Sequence, residues 1–156
     1  PGWQIDAVDF QIEAVNLANE NAQHLGLNQV NIFQSNWFSG LDNNKRYQLI
    51  VSNPPYIDPA DCHLSEGDVR FEPKSALVAE QHGLADIANI ITQAQNYLMP
   101  AGQLYFEHGY DQGAAVRQLF AEAGYEKIVT EQDYNGNDRV TYASYPDNNK
   151  EDEYGL

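Results

Sequence analysis

Strand-like and helical segments alternate along this chain, and that alternation limits its fold more than any other feature. The short apolar runs 5–9, 30–33 and 47–52 have the length and composition of strands. Between the first two, residues 10–25 carry apolar side chains at helical spacing. A strand, a helix and a second strand in succession are typical of a parallel sheet, so the first half of the chain predicts an α/β fold.

The second half of the chain continues this alternation and ends differently. Residues 85–98 and 112–123 have helical spacing, and residues 103–108 between them have the pattern of a strand. Two further strand patterns, 126–131 and 139–144, are joined by a turn sequence that contains Asn-Gly, which predicts an antiparallel hairpin. We therefore predict a mostly parallel sheet, covered by helices on both faces and closed by an antiparallel edge.

The length and the two ends of the chain suggest one domain within a longer protein. Residues 1–145 are predicted to form a single domain, and the polar, acidic tail 146–156 is predicted to be disordered. The chain begins with Pro1 rather than Met and reaches its first strand pattern at Ile5. We expect it to be a fragment whose upstream neighbour is missing.

The net charge and the cysteine content limit which partners and which cell compartment we expect for this protein. Eight Lys and Arg residues face 23 Asp and Glu residues, so the net charge is −15. Nucleic-acid affinity depends largely on basic side chains, and we therefore expect no direct contact with nucleic acid. No apolar run approaches the 18 or so residues of a membrane span, so no membrane partner is expected. The single cysteine, Cys62, is typical of a cytoplasmic protein.

The most informative motif is Asn53-Pro54-Pro55-Tyr56, which directly follows the strand 47–52. Two successive prolines fix the backbone and remove two hydrogen-bond donors. An asparagine amide is both a donor and an acceptor. Asn53 and the Pro54 carbonyl could therefore hold a planar amino group from two sides, with Tyr56 stacked on it. The alternative interpretation is a turn that contains a buried aromatic side chain.

Other candidate residues follow the first two strands. In open α/β sheets, ligands bind beyond the carboxyl ends of the strands. Asp9 could accept hydrogen bonds from ribose hydroxyls there, or it could instead cap a helix that begins at Phe10. Asn36 and Trp37 follow the second strand, where Trp37 could lie against an adenine ring or act as an ordinary amphipathic anchor.

The residues around this motif resemble the glutamine N5-methyltransferases of peptide chain release factors, the HemK or PrmC family. Asn-Pro-Pro-Tyr alone is shared with DNA methyltransferases that act on adenine N6 or cytosine N4, but the downstream segments narrow the resemblance. The matching segments are Leu49–Ile57, Gly67–Pro73, Ser75–Leu77, Gly83–Leu84, Glu107–Gly109 and Asp138–Thr141.

The resemblance implies a Rossmann-like class I methyltransferase that uses S-adenosyl-L-methionine. Its implied reaction is methylation of the glutamine amide in the Gly-Gly-Gln motif of release factors. Asp9 resembles the ribose-binding acid and Trp37 the adenine neighbour, while Asn36 replaces the family's usual aspartate near the adenine. Residues 53–56 resemble the clamp on the substrate amide, with Asn53 also expected to contact the cofactor.

The family also has an N-terminal helical domain and a first strand with a glycine-rich cofactor loop, and we expect this chain to lack both. In this fold the missing strand lies between the strands 5–9 and 47–52, so its loss would leave two unpaired edges. Two alternative functions therefore stay open. One is a DNA or RNA amino-methyltransferase, although the negative net charge argues against it. The other is an inactive fragment or binding module.

Two further regions have no assigned chemistry. The irregular segment 57–84 could act as a lid over the substrate. Its possible metal ligands match no compact zinc pattern, so no metal site is predicted. Glu107 and His108 end a strand at the edge of the crevice, where they could shape the pocket or serve the structure alone. The possible metal ligands in the segment are Asp58, Asp61, Cys62 and His63.

Overall fold

The computed structural model describes residues 2–55 and 84–147. The chain forms two compact units, Pro1–Lys45 and Arg46–Leu156. No helix in the described ranges is long and apolar enough to cross a bilayer. The segment predicted as a lid lies outside the described residues, apart from Leu84. The tail predicted to be disordered also lies outside them, apart from Pro146 and Asp147.

The first unit is a parallel β-α-β element. Strand β1 (Ile5–Asp9) and strand β2 (Val30–Gln34) pair in register, from Ile5 opposite Val30 to Asp9 opposite Gln34. Helix α1 (Ile12–His24) connects them. The Asn19 amide of α1 donates to the Ile32 carbonyl of β2 at 3.2 Å, which ties the helix to the sheet.

Both ends of α1 follow from local hydrogen bonding. The helix begins two residues later than predicted, because the Asp9 carboxylate accepts the Gln11 N–H at 2.7 Å and Gln11 stays extended at the N-cap. Asp9 is therefore not the helix cap. At the other end, Gly26 adopts a φ of +67° and the Leu27 N–H donates to the Ala22 carbonyl at 2.9 Å. This is the left-handed glycine termination expected at position 26.

The second unit is a four-stranded sheet with the order β3-β4-β6-β5. Its first two strands are parallel, and both pairings of β6 are antiparallel. The predicted C-terminal hairpin is confirmed, and its second strand lies inside the sheet, between β4 and β5. The strands are β3 (Tyr47–Ser52), β4 (Leu98–Glu107), β5 (Glu126–Gln132) and β6 (Asp138–Ser144).

Two helices of this unit, α2 (Ala85–Ala94) and α3 (Gly113–Glu122), contribute to its core. The Phe106 ring of β4 lies 5.7 Å from the Phe120 ring of α3. The Tyr125 hydroxyl donates to the Ile91 carbonyl at 3.0 Å, and burial raises the pKa of Tyr125 above its ordinary value. The largest fully buried aliphatic and aromatic side chains of this unit are Ile87, Ile90, Ile91, Leu104, Phe106, Val116 and Phe120.

The boundary between α2 and β4 differs from the prediction. Helix α2 ends at Ala94 instead of Leu98, and Leu98 opens β4 by pairing with Tyr47. The segment 99–102 forms an irregularity inside β4. The pairing jumps from Leu98 to Gln103, and Ala101 adopts a φ of +60°. The segment is therefore a bulge that bends the strand rather than ending an element.

The described strands form two sheets, one of two strands and one of four. Among them, β1 pairs only with β2, and β3 pairs only with β4. Two pairings are parallel and two are antiparallel. This arrangement agrees with the expectation of two unpaired strand edges at β1 and β3.

Candidate functional site

Three of the predicted site residues lie together in the first unit, at the carboxyl ends of β1 and β2. Asp9 ends β1 opposite Gln34, and the Ser35 N–H donates to the Asp9 carbonyl at 3.0 Å. The turn that carries Asn36 and Trp37 therefore begins beside Asp9. In open α/β sheets this edge is the one where ligands bind.

The Asp9 carboxylate forms one backbone hydrogen bond and still has an oxygen that can bind a ligand. Its Oδ1 accepts the Gln11 N–H, while the side chain remains exposed. Within the described residues, no protein group binds Oδ2. An exposed carboxylate with an open oxygen can accept hydrogen bonds from the two hydroxyls of a ribose.

A buried serine builds the turn that follows β2. The Ser35 hydroxyl donates to the Trp37 carbonyl at 2.7 Å and accepts the Gly40 N–H at 2.9 Å. A Cβ at Gly40 would lie 3.1 Å from the Ser35 side chain, so the close approach favours glycine. Sequence reasoning missed Ser35 and Gly40, since a serine and a glycine five residues apart carry no specific signal.

The same turn holds Trp37 in an unusual conformation. Trp37 has a φ of +49°, in the left-handed region that bulky residues rarely adopt. Its ring is half-buried, the next residue Phe38 is buried, and Asn36 is exposed. Phe38 thus acts as the apolar anchor, and Trp37 keeps part of its ring accessible. A carboxylate, which accepts hydrogen bonds, lies here with an amide, which both donates and accepts, and with a partly accessible indole.

The Asn53 segment lies in the second unit, at the carboxyl end of β3. Ser52 pairs with Phe106, so Asn53 begins its turn next to the last residue of β4. Asn53 is exposed, Pro54 is fully buried and Pro55 is half-buried. A buried proline next to an exposed amide gives the amide a rigid base.

The Asn53 side chain is exposed. No protein group within residues 2–55 and 84–147 forms a hydrogen bond with its side chain. Tyr56 lies outside the described residues, so its stacking role stays a prediction. The four possible metal ligands of the segment 57–84 also lie outside them.

The chain resembles known methyltransferases in sequence. The model of the family "Methyltransferase small domain" matches residues 1–68. A release factor glutamine methyltransferase from Vibrio cholerae is 54% identical over 145 residues, which are 93% of this chain and 51% of that protein. The Escherichia coli protein of the same name is 52% identical over 93% of this chain and 52% of its own length. The resemblance predicted from the motifs is thus confirmed, and the chain spans about half the length of these relatives.

Solved structures show the same fold at low sequence identity. A methyltransferase from Pyrococcus furiosus matches with a TM-score of 0.64 at 14% identity, over 92% of this chain and 63% of that one. A ribosomal protein L11 methylase from Lactobacillus delbrueckii subsp. bulgaricus also has a TM-score of 0.64, at 19% identity, over 92% and 58% of the two chains. The predicted Rossmann-like class I fold is confirmed.

Proposed function

We propose that this chain, a homologue over 93% of its length of the release factor glutamine methyltransferases, carries catalytic machinery for methylating a glutamine side-chain amide. The methyl donor is S-adenosyl-L-methionine, and the acceptor is the glutamine of the Gly-Gly-Gln motif in a peptide chain release factor. The observation that carries the proposal is the Asn53 amide. It is exposed on a rigid proline turn at the carboxyl end of β3.

The substrate amide needs help because its nitrogen lone pair is delocalised into the carbonyl. The Asn53 Oδ1 atom accepts one N–H of the substrate, and the Pro54 carbonyl accepts the other. Holding both N–H groups favours a lone pair localised on nitrogen and fixes its direction. Orientation of this kind contributes about 7–11 kcal/mol in favourable systems.

Two further parts of the motif complete the clamp. Pro55 keeps the turn rigid, and Tyr56 stacks on the plane of the substrate amide. No strong general base is assigned, since the proton can leave the nitrogen after the methyl group has been transferred.

The residues proposed to bind the ribose and the adenine of the cofactor lie in the first unit. When bound, S-adenosyl-L-methionine supplies an electrophilic sulfonium methyl group. Asp9 would bind the ribose hydroxyls, and Asn36 and Trp37 would contact the adenine. Asn36 can accept a hydrogen bond but has no charge, so we expect a weaker interaction than an aspartate would give.

The net charge supports a protein substrate over a nucleic acid. A charge of −15 repels phosphate and attracts basic protein surfaces, so it favours a basic segment of a release factor as the partner. It argues against adenine or cytosine in DNA or RNA as the acceptor.

The experiment is a methyl-transfer assay with labelled S-adenosyl-L-methionine and a purified release factor. Label should enter the factor, and replacing the motif glutamine by alanine should abolish the transfer. Asn53→Ala should lower kcat/KM by roughly 100-fold, because it removes one half of the clamp. Asn96→Ala is the matched control, since Asn96 is an exposed asparagine of the same unit.

The possible outcomes separate the candidate functions. Label in DNA or RNA rather than in the release factor would replace the proposal with a nucleic-acid methyltransferase. Absence of label in every acceptor would make the chain a binding module. Equal activity of the Asn53 and Asn96 variants would remove Asn53 from the mechanism.

A further inference from the structure

His108 directly follows β4 and is fully buried, yet both of its ring nitrogens have partners. Nδ1 lies 2.8 Å from the Gly109 carbonyl oxygen, and Nε2 lies 2.7 Å from the Thr141 hydroxyl. A carbonyl oxygen can only accept a hydrogen bond. Nδ1 therefore carries a proton, and in a neutral ring Nε2 then accepts the proton of Thr141.

The hydrogen bonds continue from Thr141 to the surface. The Thr141 and Thr130 hydroxyls are 2.7 Å apart, and Arg117 Nη1 donates to the Thr130 hydroxyl at 2.8 Å. Arg117 also lies 3.6 Å from the Asp138 carboxylate, in a half-exposed ion pair. A single row of contacts thus joins a surface arginine to a buried histidine.

The histidine end of this row sets its direction. Thr141 has one hydroxyl proton and donates it to His108 Nε2, so the Thr130 hydroxyl donates to Thr141. Arg117 can only donate, so its hydrogen bond to Thr130 leaves the Thr130 proton available for Thr141. The reverse direction would place a proton on Nε2 and turn the Nδ1 lone pair toward the Gly109 carbonyl, where two acceptors would face each other.

The row ends at the turn formed by residues 108–112, where several hydrogen bonds hold the backbone groups of His108 and Gly109. The Gly109 carbonyl also accepts the Gln112 N–H at 3.0 Å, and the Gly109 N–H donates to Gln112 Oε1 at 2.8 Å. The His108 carbonyl accepts from Arg139 at 3.3 Å. This turn follows Glu107, the β4 residue next to which Asn53 begins its own turn.

We propose that His108 is a positioning residue for the substrate clamp. The Gly109 carbonyl holds its ring in the Nδ1–H form, the row Arg117–Thr130–Thr141 anchors the ring at Nε2, and the ring thereby anchors the Gly109 turn. That turn follows the β4 residue beside which Asn53 begins its own turn. The functional part of this inference rests on the proposed methyl transfer, whereas the tautomer and the rigidity of the turn do not.

The test compares Thr141→Val, which removes the hydroxyl at nearly constant volume, with Thr141→Ser, which keeps it. Nitrogen NMR of the wild-type chain at about pH 8, where a free imidazole is neutral, should show His108 protonated on Nδ1. Hydrogen exchange of the Gly109 amide, measured relative to the Leu104 amide of the same sheet, should be on the order of tenfold faster in the valine variant. The serine variant should restore the wild-type ratio.

Kinetics give the functional readout. The valine variant should lower kcat by on the order of tenfold and keep the KM for S-adenosyl-L-methionine, and the serine variant should keep both. Val116→Ala is a control for general destabilisation, since Val116 is fully buried in α3 and takes no part in the row. It should change the two exchange rates equally and leave kcat unaltered.

Each outcome decides one part of the inference. An Nε2–H tautomer in the wild-type chain would overturn the directed row, and an unchanged Gly109-to-Leu104 exchange ratio in the valine variant would overturn the rigidity. Equal kcat values for the valine and serine variants would overturn the positioning role. Absence of methyl transfer by the wild-type chain would refute the proposed function instead, while the two NMR measurements would still decide the row.

Discussion

Replacing Ser35 by alanine tests whether the turn after β2 is built for a ligand. The Ser35 hydroxyl forms two hydrogen bonds, to the Trp37 carbonyl at 2.7 Å and from the Gly40 N–H at 2.9 Å. Each is a neutral hydrogen bond in a partly buried setting and contributes about 1 kcal/mol. The alanine variant should therefore lose about 2 kcal/mol of the free energy that holds the turn.

The loss matters because the left-handed backbone conformation of Trp37 is energetically unfavourable. A left-handed backbone costs a bulky residue roughly 1–2 kcal/mol, which is comparable to the contribution of the Ser35 hydroxyl. Without that hydroxyl, Trp37 can relax to an ordinary conformation and leave the position proposed for adenine. A loss of 2 kcal/mol corresponds to about 30-fold weaker cofactor binding.

The assay is a titration with S-adenosylhomocysteine, followed by the NMR signal of the Trp37 indole N–H. We expect weak binding by the wild-type chain, with a Kd of about 100 μM or higher, and NMR measures affinities in this range. Ser39→Ala is the matched control, since Ser39 is an exposed serine of the same turn. Equal affinities for Ser35→Ala, Ser39→Ala and the wild type would refute the link between the turn and the cofactor.

Three further changes test the second unit. Gly102→Ala places a Cβ 2.9 and 3.0 Å from two backbone carbonyls, so urea unfolding should show a loss of about 1–3 kcal/mol. Phe120→Ala removes a fully buried ring next to Phe106, and the same measurement should show a loss of about 3–5 kcal/mol. Several hydrogen-bond donors lower the pKa of Asp133, and the Asn137 N–H has the largest effect. The charged Asp133 carboxylate therefore stabilises the fold above the unfolded pKa of about 3.9. This contribution is lost as the pH falls through the lower pKa of the folded state. Asp133→Asn should flatten the decrease of Tm on the acid side. Unchanged unfolding free energies of the Gly102 and Phe120 variants would contradict the first two predictions. The same decrease of Tm at low pH in Asp133→Asn as in the wild type would contradict the third.

Elements defined by local patterns were predicted well. The bounds of β1 and β3 agree with the sequence prediction, because both are short apolar runs that end in a polar residue. Gly26 and Gly124 adopt positive φ after α1 and α3, as expected for glycines that end helices. In each case the signal lies within a few residues of the element that it specifies.

Features that depend on distant contacts were not predictable. Leu98 fits both a helix pattern and a strand, and its pairing with Tyr47 decides the matter. The position of β6 between β4 and β5 also depends on pairing, which an alternating pattern does not encode. The strands therefore followed from the sequence, while their order in the sheet did not.

The candidate site was predictable only in part. Asp9 ends a strand and Trp37 follows one, and the strand-end rule identified both as candidates. Asn53 was identified by its place at a strand end and by the motif it begins. Ser35 acts through a hydroxyl bonded to backbone groups two and five residues away, and His108 acts through a partner 33 residues away. Such contacts leave no periodic signal, so the residues that support the site become visible only in the structure.

The most direct test of the central proposal is mass spectrometry of a release factor after incubation with this chain and S-adenosyl-L-methionine. The proposal predicts one added methyl group on the side-chain amide of the Gly-Gly-Gln glutamine, with a strongly reduced yield for Asn53→Ala. An unmodified factor, or a methyl group on any other residue, would contradict it.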